Sequence, residues 1–328
     1  MKVNLKIIIG IVVVCVIAAI ILATSLTAKG SEVVKFGYLP VVQGSPLYLA
    51  VEEGYFEEVG IEVELTSFDS PNQIIDAFLQ GQIDIGPPSI AAGITGIAET
   101  KNPGKMKIYA LAGGDKNNGA ANLFVTPDSE IKEISELKGK KVGILGGTIQ
   151  WRTIAREIFA QNGLDMDKDL IIFELAPGLQ VQALASKQID ALLALEPVST
   201  VVKNKGVGKI LVSAPCEKLI AEPFYAGAGV ISTKFLKESP ETAKKVIEIM
   251  EKAIKAIKED PELERKYLSK YTSVDDVLAQ KVPNTIFKMY SEFDEKDFEA
   301  VQKFYDIFKK YNVVDSEINF KNFVYTEN

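Results

Sequence analysis

The sequence predicts an α/β protein of two similar lobes, between which the chain crosses twice. A phrase at 77–84, AFLQGQID, returns as ALASKQID at 183–190, which is 106 positions later. The same offset places FGYL at 36–39 on VGIL at 142–145. Two matches at one offset indicate two units built on one plan. Two lobes on a single chain leave a cleft between them, and small ligands bind in such clefts.

The first unit alternates strands and helices, a pattern typical of a doubly wound sheet. Ser45-Pro46 and Ser70-Pro71 each pair an N-cap residue with a proline that suits the first helical turn. The expected elements are, in order, a strand at 33–39, a helix from Ser45 to about Gly54, a strand at 61–65, a helix from Pro71 to Gly81, a strand at 83–86, and a helix that starts at 87–89.

The second unit repeats this order. The glycines at 146 and 147 do not form a dinucleotide fingerprint, because their spacing from Gly143 breaks the G-x-G-x-x-G pattern. They open a helix instead. The expected elements are a strand at 142–145, a helix that follows 146–148 and is closed by Gly163, a strand at 170–175, a helix after Pro177, and a strand at 189–193 that leads to Glu196 and Pro197.

Two extended segments are expected to connect the units, one at 120–125 and one at 223–231. The predicted lobe I therefore comprises 31–121 together with 225–328, and lobe II comprises 122–224. Two later helices carry apolar residues at helical spacing, which indicates faces that pack against a sheet. The first face has Val246, Ile249, Met250, Ala253, Ile254 and Ile257, and the second has Phe298, Val301, Phe304, Phe308 and Tyr311.

Composition excludes several classes of function. The chain of 328 residues contains no histidine, which removes Ser-His-Asp catalysis and most transition-metal sites. Its net charge is −7, which argues against nucleic acid as a partner. The two cysteines are Cys15, in the apolar leader, and Cys216, so we expect no internal disulfide. The arginines are Arg152, Arg156 and Arg265.

Residues 1–30 are predicted to be a targeting segment or membrane anchor. Lys2 and Lys6 precede an uncharged run at 7–28 that is long enough to span a bilayer. The cationic end would stay in the cytoplasm, and the rest of the chain would be exported. Cleavage after the small residues at 23–28 stays open, but we favour an uncleaved anchor on the outer face of the cytoplasmic membrane.

Several phrases, in this order and spacing, resemble the extracytoplasmic solute-binding proteins of ABC importers, in the nitrate, sulfonate/taurine and thiamine-precursor (NMT1/SsuA-like) group. The resemblance runs from about 38 to about 245. Its phrases are AVEEGYF at 50–56 with GIEV at 60–63, AFLQGQIDIG at 77–86, LKGKKVG at 137–143, GLD at 163–165 and QIDALLALEP at 188–197.

The resemblance implies a type II periplasmic-binding-protein fold with two hinge crossovers and a ligand clamped between the lobes. It further implies delivery of the solute to an ABC permease driven by a cytoplasmic ATPase. No catalysis, cofactor or metal is expected, and neither is nucleic acid. We expect a monomer.

Ligands of open α/β sheets bind beyond the carboxyl ends of strands, near helix N-termini. Each residue at these places also has a structural alternative, as a helix cap or a core residue. Glu196 would favour a ligand with an N–H or ammonium group, or it caps the next helix. The ligand-binding candidates are Gln43, Gly44, Ser45, Pro88, Ser89, Gly147, Thr148, Trp151, Arg152, Glu196, Phe224 and Tyr225.

Two other functions stay open at this point. An extracellular sensor domain would use the same fold but pass the ligand state to a membrane partner. An enzyme on this scaffold is also conceivable, although related thiamine-pyrimidine synthases use histidine and iron. Sulfonates, nitrate, bicarbonate and heterocyclic precursors all remain candidate ligands. Scarce arginine and Glu196 favour an amine-bearing or heterocyclic solute.

Overall fold

The computed structural model describes residues 33–327. Its strands, numbered in chain order, are β1 (Val33–Tyr38), β2 (Glu62–Ser67), β3 (Ile85–Ala91), β4 (Met106–Gly114), β5 (Ala121–Val125), β6 (Lys141–Leu145), β7 (Ile171–Leu175), β8 (Ala191–Leu195), β9 (Lys209–Ser213), β10 (Phe224–Ser232) and β11 (Ile286–Met289).

The α-helices of this part of the chain are α1 (Ser45–Glu52), α2 (Pro71–Leu79), α3 (Ala92–Lys101), α4 (Ile149–Ala160), α5 (Met166–Asp169), α6 (Pro177–Ala185), α7 (Val198–Lys205), α8 (Pro215–Leu219), α9 (Thr233–Glu238), α10 (Pro240–Glu259), α11 (Leu268–Tyr271), α12 (Asp276–Ala279) and α13 (Glu295–Lys310).

The strands form two mixed sheets. Lobe I is built on a six-stranded sheet of order β11-β4-β10-β3-β1-β2, and lobe II on a five-stranded sheet of order β7-β6-β8-β5-β9. In lobe I, β1, β2 and β3 are parallel, and β10 lies antiparallel between β3 and β4. In lobe II, β6, β7 and β8 are parallel, and β5 lies antiparallel between β8 and β9. Apart from the edge strand β11, the two sheets therefore have the same plan.

The register of the sheets confirms the duplication. Phe36 pairs with Ile85 in lobe I, and Val142 pairs with Ala191 in lobe II, at the same offset of 106. Helices α2 and α6 begin at equivalent prolines, and α3 and α7 begin at equivalent positions. The predicted α/β fold with two lobes is thereby confirmed.

Each lobe begins with one equivalent side-chain contact. The Asp84 carboxylate accepts a 3.0 Å hydrogen bond from the backbone N–H of Lys35, and the Asp190 carboxylate accepts one of 2.8 Å from Lys141. Each aspartate thus ties the entry of a third strand to the first strand of its lobe. This geometry gives both aspartates a structural role.

Two neighbouring segments, 115–120 and 214–223, carry the chain between the lobes. The buried Glu217 accepts a 3.0 Å hydrogen bond from the backbone N–H of Ala120, which links the segments. Lys116 and Glu222 form an ion pair between them. The two crossovers therefore lie side by side, as a hinge between two rigid bodies requires.

The structure differs from the sequence-based expectation at β3. Pro87, Pro88 and Ser89 lie inside this buried strand, and the next helix begins only at Ala92. Proline cannot donate a ladder hydrogen bond, so it is tolerated in a sheet only where pairing is irregular. The pairing of β3 with β10 shifts register between Ala228 and Val230, opposite this segment. The expectation of a helix start at 87–89 is wrong for this reason.

Strands β4, β9 and β11 were not predicted. The sequence of β4, MKIYALAGG, is apolar almost throughout and nearly all buried, so it lacks the alternation that marks a half-buried strand. By contrast, all six apolar residues predicted for α10 are buried, and so are Val301, Phe304 and Phe308 of α13. Both faces are packing faces, as predicted, although the α13 face lies in a cluster that also contains Trp151 of lobe II, and Phe298 and Tyr311 are only partly buried.

Within 33–327, no helix is both long enough and apolar enough to cross a membrane. The anchor predicted at 1–30 lies outside the described residues.

Candidate functional site

The two lobes meet at the edges where their parallel strands end. Gln150, in the first turn of α4 after β6, is buried and crosses the boundary. Its side-chain oxygen accepts a 2.7 Å hydrogen bond from the backbone N–H of Gly93, at the start of α3. Its amide nitrogen donates to the carbonyl of Ala226 at 3.2 Å. Gln150 therefore joins the carboxyl-end edge of lobe II to that of lobe I.

Further contacts between the lobes lie on either side of this edge. The Glu157 carboxylate of α4 accepts hydrogen bonds from Lys310 at 2.6 Å and from the Tyr311 hydroxyl at 2.8 Å. On another side, Lys281 contacts the side-chain oxygen of Asn204 at the end of α7. These contacts frame the boundary at which a solute would bind.

Unpartnered buried oxygens concentrate at this edge. Six buried side-chain oxygens in 33–327 have no hydrogen-bond partner, and four of them lie at the N-cap or in the first turn of a helix that follows a parallel strand. Such atoms are rare in folded proteins because each costs free energy. The four belong to Ser45 (2% exposed), Thr148 (5%), Gln180 (1%) and Thr200 (2%).

The candidates of lobe I lie around the ends of β1 and β3. Gly44 and Ser45 are buried at the start of α1, and Gln43 is half-buried beside them. A Cβ at Gly44 would lie 2.3 Å from the Tyr48 hydroxyl, so close packing requires glycine there. Ser89 accepts a 3.3 Å hydrogen bond from the backbone of Leu39. Of these candidates, Ser45 alone carries one of the unpartnered oxygens.

In lobe II, Gly147 and Thr148 lie in the loop before α4. Gly147 is exposed and has φ +75°, which is the left-handed region that favours glycine. Trp151 is buried in the core. Arg152 makes ion pairs with Glu174 at 2.6 Å and with Asp167 at 2.8 Å. Its guanidinium group is therefore already neutralised by two carboxylates.

Glu196 is buried at the end of β8 and caps α7. Its carboxylate accepts a hydrogen bond from the backbone N–H of Thr200 at 3.0 Å and contacts the Lys203 ammonium group at 3.4 Å. The capping alternative considered from the sequence accounts for these contacts. Lys203 also supplies the opposite charge that a buried carboxylate needs.

Phe224 and Tyr225 are buried in lobe I at the start of β10. The Phe224 ring contacts that of Phe304 edge to face, with centroids 4.9 Å apart. The Tyr225 hydroxyl donates a 2.6 Å hydrogen bond to Asp297. Both side chains have partners within their own lobe, so an aromatic wall toward a solute stays a prediction.

Gln150, Gln180 and Thr200 were missed by the sequence-based reasoning. A comparison of the two repeats by position would have found the last two, because apolar residues of lobe I become polar in lobe II. Gln150 could not be found in this way, since its partners Gly93 and Ala226 belong to the other lobe.

The hinge contains an unusual carboxyl group. Burial raises the pKa of Glu217 to about 7, and the nearby Asp115 and Glu222 add to this increase. One of its oxygens has no hydrogen-bond partner. Burial also raises the pKa of the adjacent Cys216 thiol well above its usual value, so this thiol is unreactive. No group of three or more metal-ligating side chains occurs in the described part of the chain.

The two similar sheets, the paired crossovers and the facing strand ends define a two-lobed α/β protein of the type II periplasmic-binding-protein class. The chain belongs to the NMT1-like family, whose model matches residues 27–270. The predicted family and fold are thus confirmed.

The names of two related proteins describe them as binding proteins. A protein from Brucella abortus (strain 2308), whose name describes it as a binding protein, is 26% identical to this chain over 243 residues. These residues are 74% of this chain and 72% of that protein. A Bacillus subtilis (strain 168) protein, whose name proposes that it binds aliphatic sulfonates, is 24% identical over 287 residues, 85% of this chain and 82% of that protein.

Solved structures share the fold. The periplasmic aliphatic sulphonate binding protein SsuA from Escherichia coli has a TM-score of 0.73 at 17% identity, covering 91% of this chain and 94% of that one. A likeness at this identity concerns the fold and not the ligand.

Proposed function

We propose that this chain is the extracytoplasmic solute-binding component of an ABC importer. It captures a small polar solute between its lobes and delivers it to the permease. The observation that carries the proposal is the group of four unpartnered buried oxygens at the facing strand ends, from Ser45, Thr148, Gln180 and Thr200. The names of the related proteins support the same class of function.

A buried polar atom that has lost water without gaining a partner costs roughly 1–3 kcal/mol. A solute that supplies hydrogen bonds to several such atoms recovers this cost on binding. Four such atoms at one boundary are therefore expected of a protein whose function is to hold a polar ligand there.

The crossovers provide the mechanism. Because the segments 115–120 and 214–223 lie side by side, the lobes can rotate about them. A solute that contacts both lobes binds the closed form better and shifts the population toward it. The permease can then distinguish the loaded protein by its shape.

The proposal keeps the predicted lobes, 31–121 with 225–328 and 122–224, except that Ala121 begins the lobe II strand β5 and Phe224 begins the lobe I strand β10. The proposed ligand-binding positions are Gln43, Gly44 and Ser45, together with the other candidates predicted from the sequence. We propose that the chain is monomeric and has no catalytic role. It is held at or exported to the outer face of the cytoplasmic membrane by residues 1–30.

The test is closure of the full chain, purified in detergent, on addition of solutes. At a concentration of 100 times Kd, a solute should stabilise the protein by about 2.7 kcal/mol and reduce its radius of gyration in small-angle scattering. Ser45→Ala should weaken this response. Ser135→Ala removes an exposed hydroxyl that bonds Glu133 and serves as the matched control. A demonstrated ligand that leaves the scattering unchanged would refute closure.

A further inference from the structure

The internal repeat allows the two lobes to be compared residue by residue at the solute boundary. Three positions that are buried and apolar in lobe I are buried and polar in lobe II. Two of the pairs lie in helices that begin 106 residues apart, α2 with α6 and α3 with α7. The third pair lies in the loops after β1 and β6, strands whose residues Phe36 and Val142 are equivalent at the same offset. The pairs are Val42 and Thr148, Ile74 and Gln180, and Ile94 and Thr200.

Each of the three polar residues of lobe II has an oxygen without a hydrogen-bond partner. Lobe I demonstrates that an aliphatic side chain fits the equivalent place in the same architecture. Packing alone therefore does not require Thr148, Gln180 or Thr200. An unpaired buried polar group is destabilising, whereas an apolar group of similar shape is not. We attribute the polar residues of lobe II to a ligand.

The topology brings these three residues to one edge. Thr148 follows β6, Gln180 follows β7, and Thr200 follows β8. These strands are parallel neighbours in the order β7-β6-β8, so their carboxyl ends lie together. Gln150 reaches lobe I from the same edge, which places the three oxygens on the side of lobe II that faces lobe I.

Gln180 indicates what the ligand must offer. Its amide nitrogen donates a 3.1 Å hydrogen bond to the carbonyl oxygen of Leu175. A carbonyl oxygen accepts only from a donor, so this contact fixes which end of the amide is the NH₂ group. The free atom of Gln180 is therefore an acceptor. Only an N–H or O–H group can satisfy it.

The charges nearby do not favour a bare anion. Arg152 is paired with Glu174 and Asp167, and Lys203 with Glu196. The first cation that follows each of β6 and β8 along the chain is thus already compensated.

We propose that lobe II selects the solute by hydrogen bonds to Thr148, Gln180 and Thr200, an inference that rests on the proposed function. The solute is an organic molecule that presents an N–H donor to Gln180, and the two threonine hydroxyls bind its remaining polar atoms. A proton-free oxyanion such as nitrate lacks the donor and leaves Gln180 unsatisfied.

The test uses matched probes on the full chain, by calorimetry at pH 7. One pair is 4-aminopyrimidine and 4-methylpyrimidine, which differ in the N–H donor at similar size. The other pair is taurine and ethanesulfonate, and nitrate is the proton-free anion. We expect the amino member of at least one pair to bind at least tenfold tighter than its partner.

Variants assign this preference to Gln180. Gln180→Leu should abolish the preference for the amino probe without lowering the melting temperature of the unliganded chain. Thr148→Val and Thr200→Val should each lower the affinity for the same amino probe at least fivefold. Gln161→Leu is the matched control, because Gln161 lies at the opposite end of α4 and donates to Leu219 and Glu157. It should leave the affinity unchanged.

Three results would overturn the inference. Tighter binding of nitrate or ethanesulfonate than of both amino probes would refute the ligand class and leave the proposed function intact. Unchanged affinity in Gln180→Leu together with a lower melting temperature would make Gln180 a structural residue. Failure of every probe to bind would overturn the inference, whereas the proposed function is tested separately by solute-induced closure.

Discussion

The side-chain oxygen of Gln150 lies 2.7 Å from the backbone nitrogen of Gly93 and caps α3 from the opposite lobe. Helix α3 has no capping side chain of its own, since its N-cap residue is Ala91. A helix N-terminus without a cap leaves backbone N–H groups unsatisfied. Lobe II thus completes an element of lobe I, which couples the stability of α3 to the closeness of the lobes.

Replacing Gln150 by leucine should destabilise the chain. The change removes the acceptor of the Gly93 N–H and the side-chain donor to the carbonyl of Ala226. We expect the free energy of unfolding in urea to fall by roughly 1–3 kcal/mol. Lys281→Met removes an exposed contact between the lobes, with Asn204, and should cost under about 1 kcal/mol. Equal stability of Gln150→Leu and the unmodified chain would contradict the bridging role.

Asp84 and Asp190 should contribute to stability in the same way. Replacing either by alanine removes the acceptor for the backbone N–H of Lys35 or Lys141. We expect each alanine variant to lose about 1–2 kcal/mol of unfolding free energy, whereas the asparagine variants retain an acceptor and lose less. Urea denaturation measures both. A stable alanine variant that no longer binds solute would instead place the aspartate in the binding site.

The hinge carboxyl group Glu217 should make stability depend on pH. Its pKa is raised from 4.5 to about 7 by burial, so the folded state holds a proton that the unfolded state releases. The free energy of unfolding therefore decreases as pH rises from about 4.5 to about 7, by up to about 3 kcal/mol for this group. Glu217→Gln should remove this part of the pH dependence.

Glu222, on the same crossover, is the control for this measurement. Its ion pair with Lys116 lowers the pKa of Glu222. The contribution of Glu222 to the free energy of unfolding is therefore lost only as the pH falls through the acidic range. Glu222→Gln removes one of the two nearby charges that add to the effect of burial on the Glu217 pKa, so it should reduce the dependence between pH 4.5 and 7 only slightly. Parallel pH profiles for Glu217→Gln and the unmodified chain would refute the assignment to Glu217.

Tyr225→Phe should separate packing from solute contact. The change removes the 2.6 Å hydrogen bond to Asp297, which keeps its contact with Lys288 at 3.1 Å. We expect a loss of about 1–2 kcal/mol in unfolding free energy from the lost hydrogen bond. Tyr109→Phe, which removes a buried bond to the carbonyl of Gly86, is the matched control. Weaker solute binding in Tyr225→Phe alone would show that the hydroxyl faces the ligand.

Much of the fold was predictable because it depends on local patterns and on the repeat. The phrase that contains Gln-Ile-Asp marked equivalent places, and Asp84 and Asp190 make the same contact in each lobe. Apolar spacing identified the buried face of α10. Strand β4 escaped prediction because a strand buried on both faces has no alternation to detect.

The candidate site was less predictable, because partners distant in sequence decide it. From the sequence, Arg152 and Glu196 were candidates for ligand contact. In the folded chain Arg152 pairs with Glu174, and Glu196 caps α7 beside Lys203. A charged residue in a strand-end loop has the same sequence signal whether its charge is free or paired.

The sequence by itself therefore determined the two-lobed plan, because a duplicated pattern of strands, caps and turns specifies local structure twice. Only the tertiary structure decided which polar groups are satisfied. Gln150 finds its partners at Gly93 and Ala226 in the other lobe, whereas Gln180 keeps a free acceptor beside Leu175. Hydrogen bonding depends on distances of a few ångströms between residues far apart in the chain, and these distances are set only when the lobes are folded against each other.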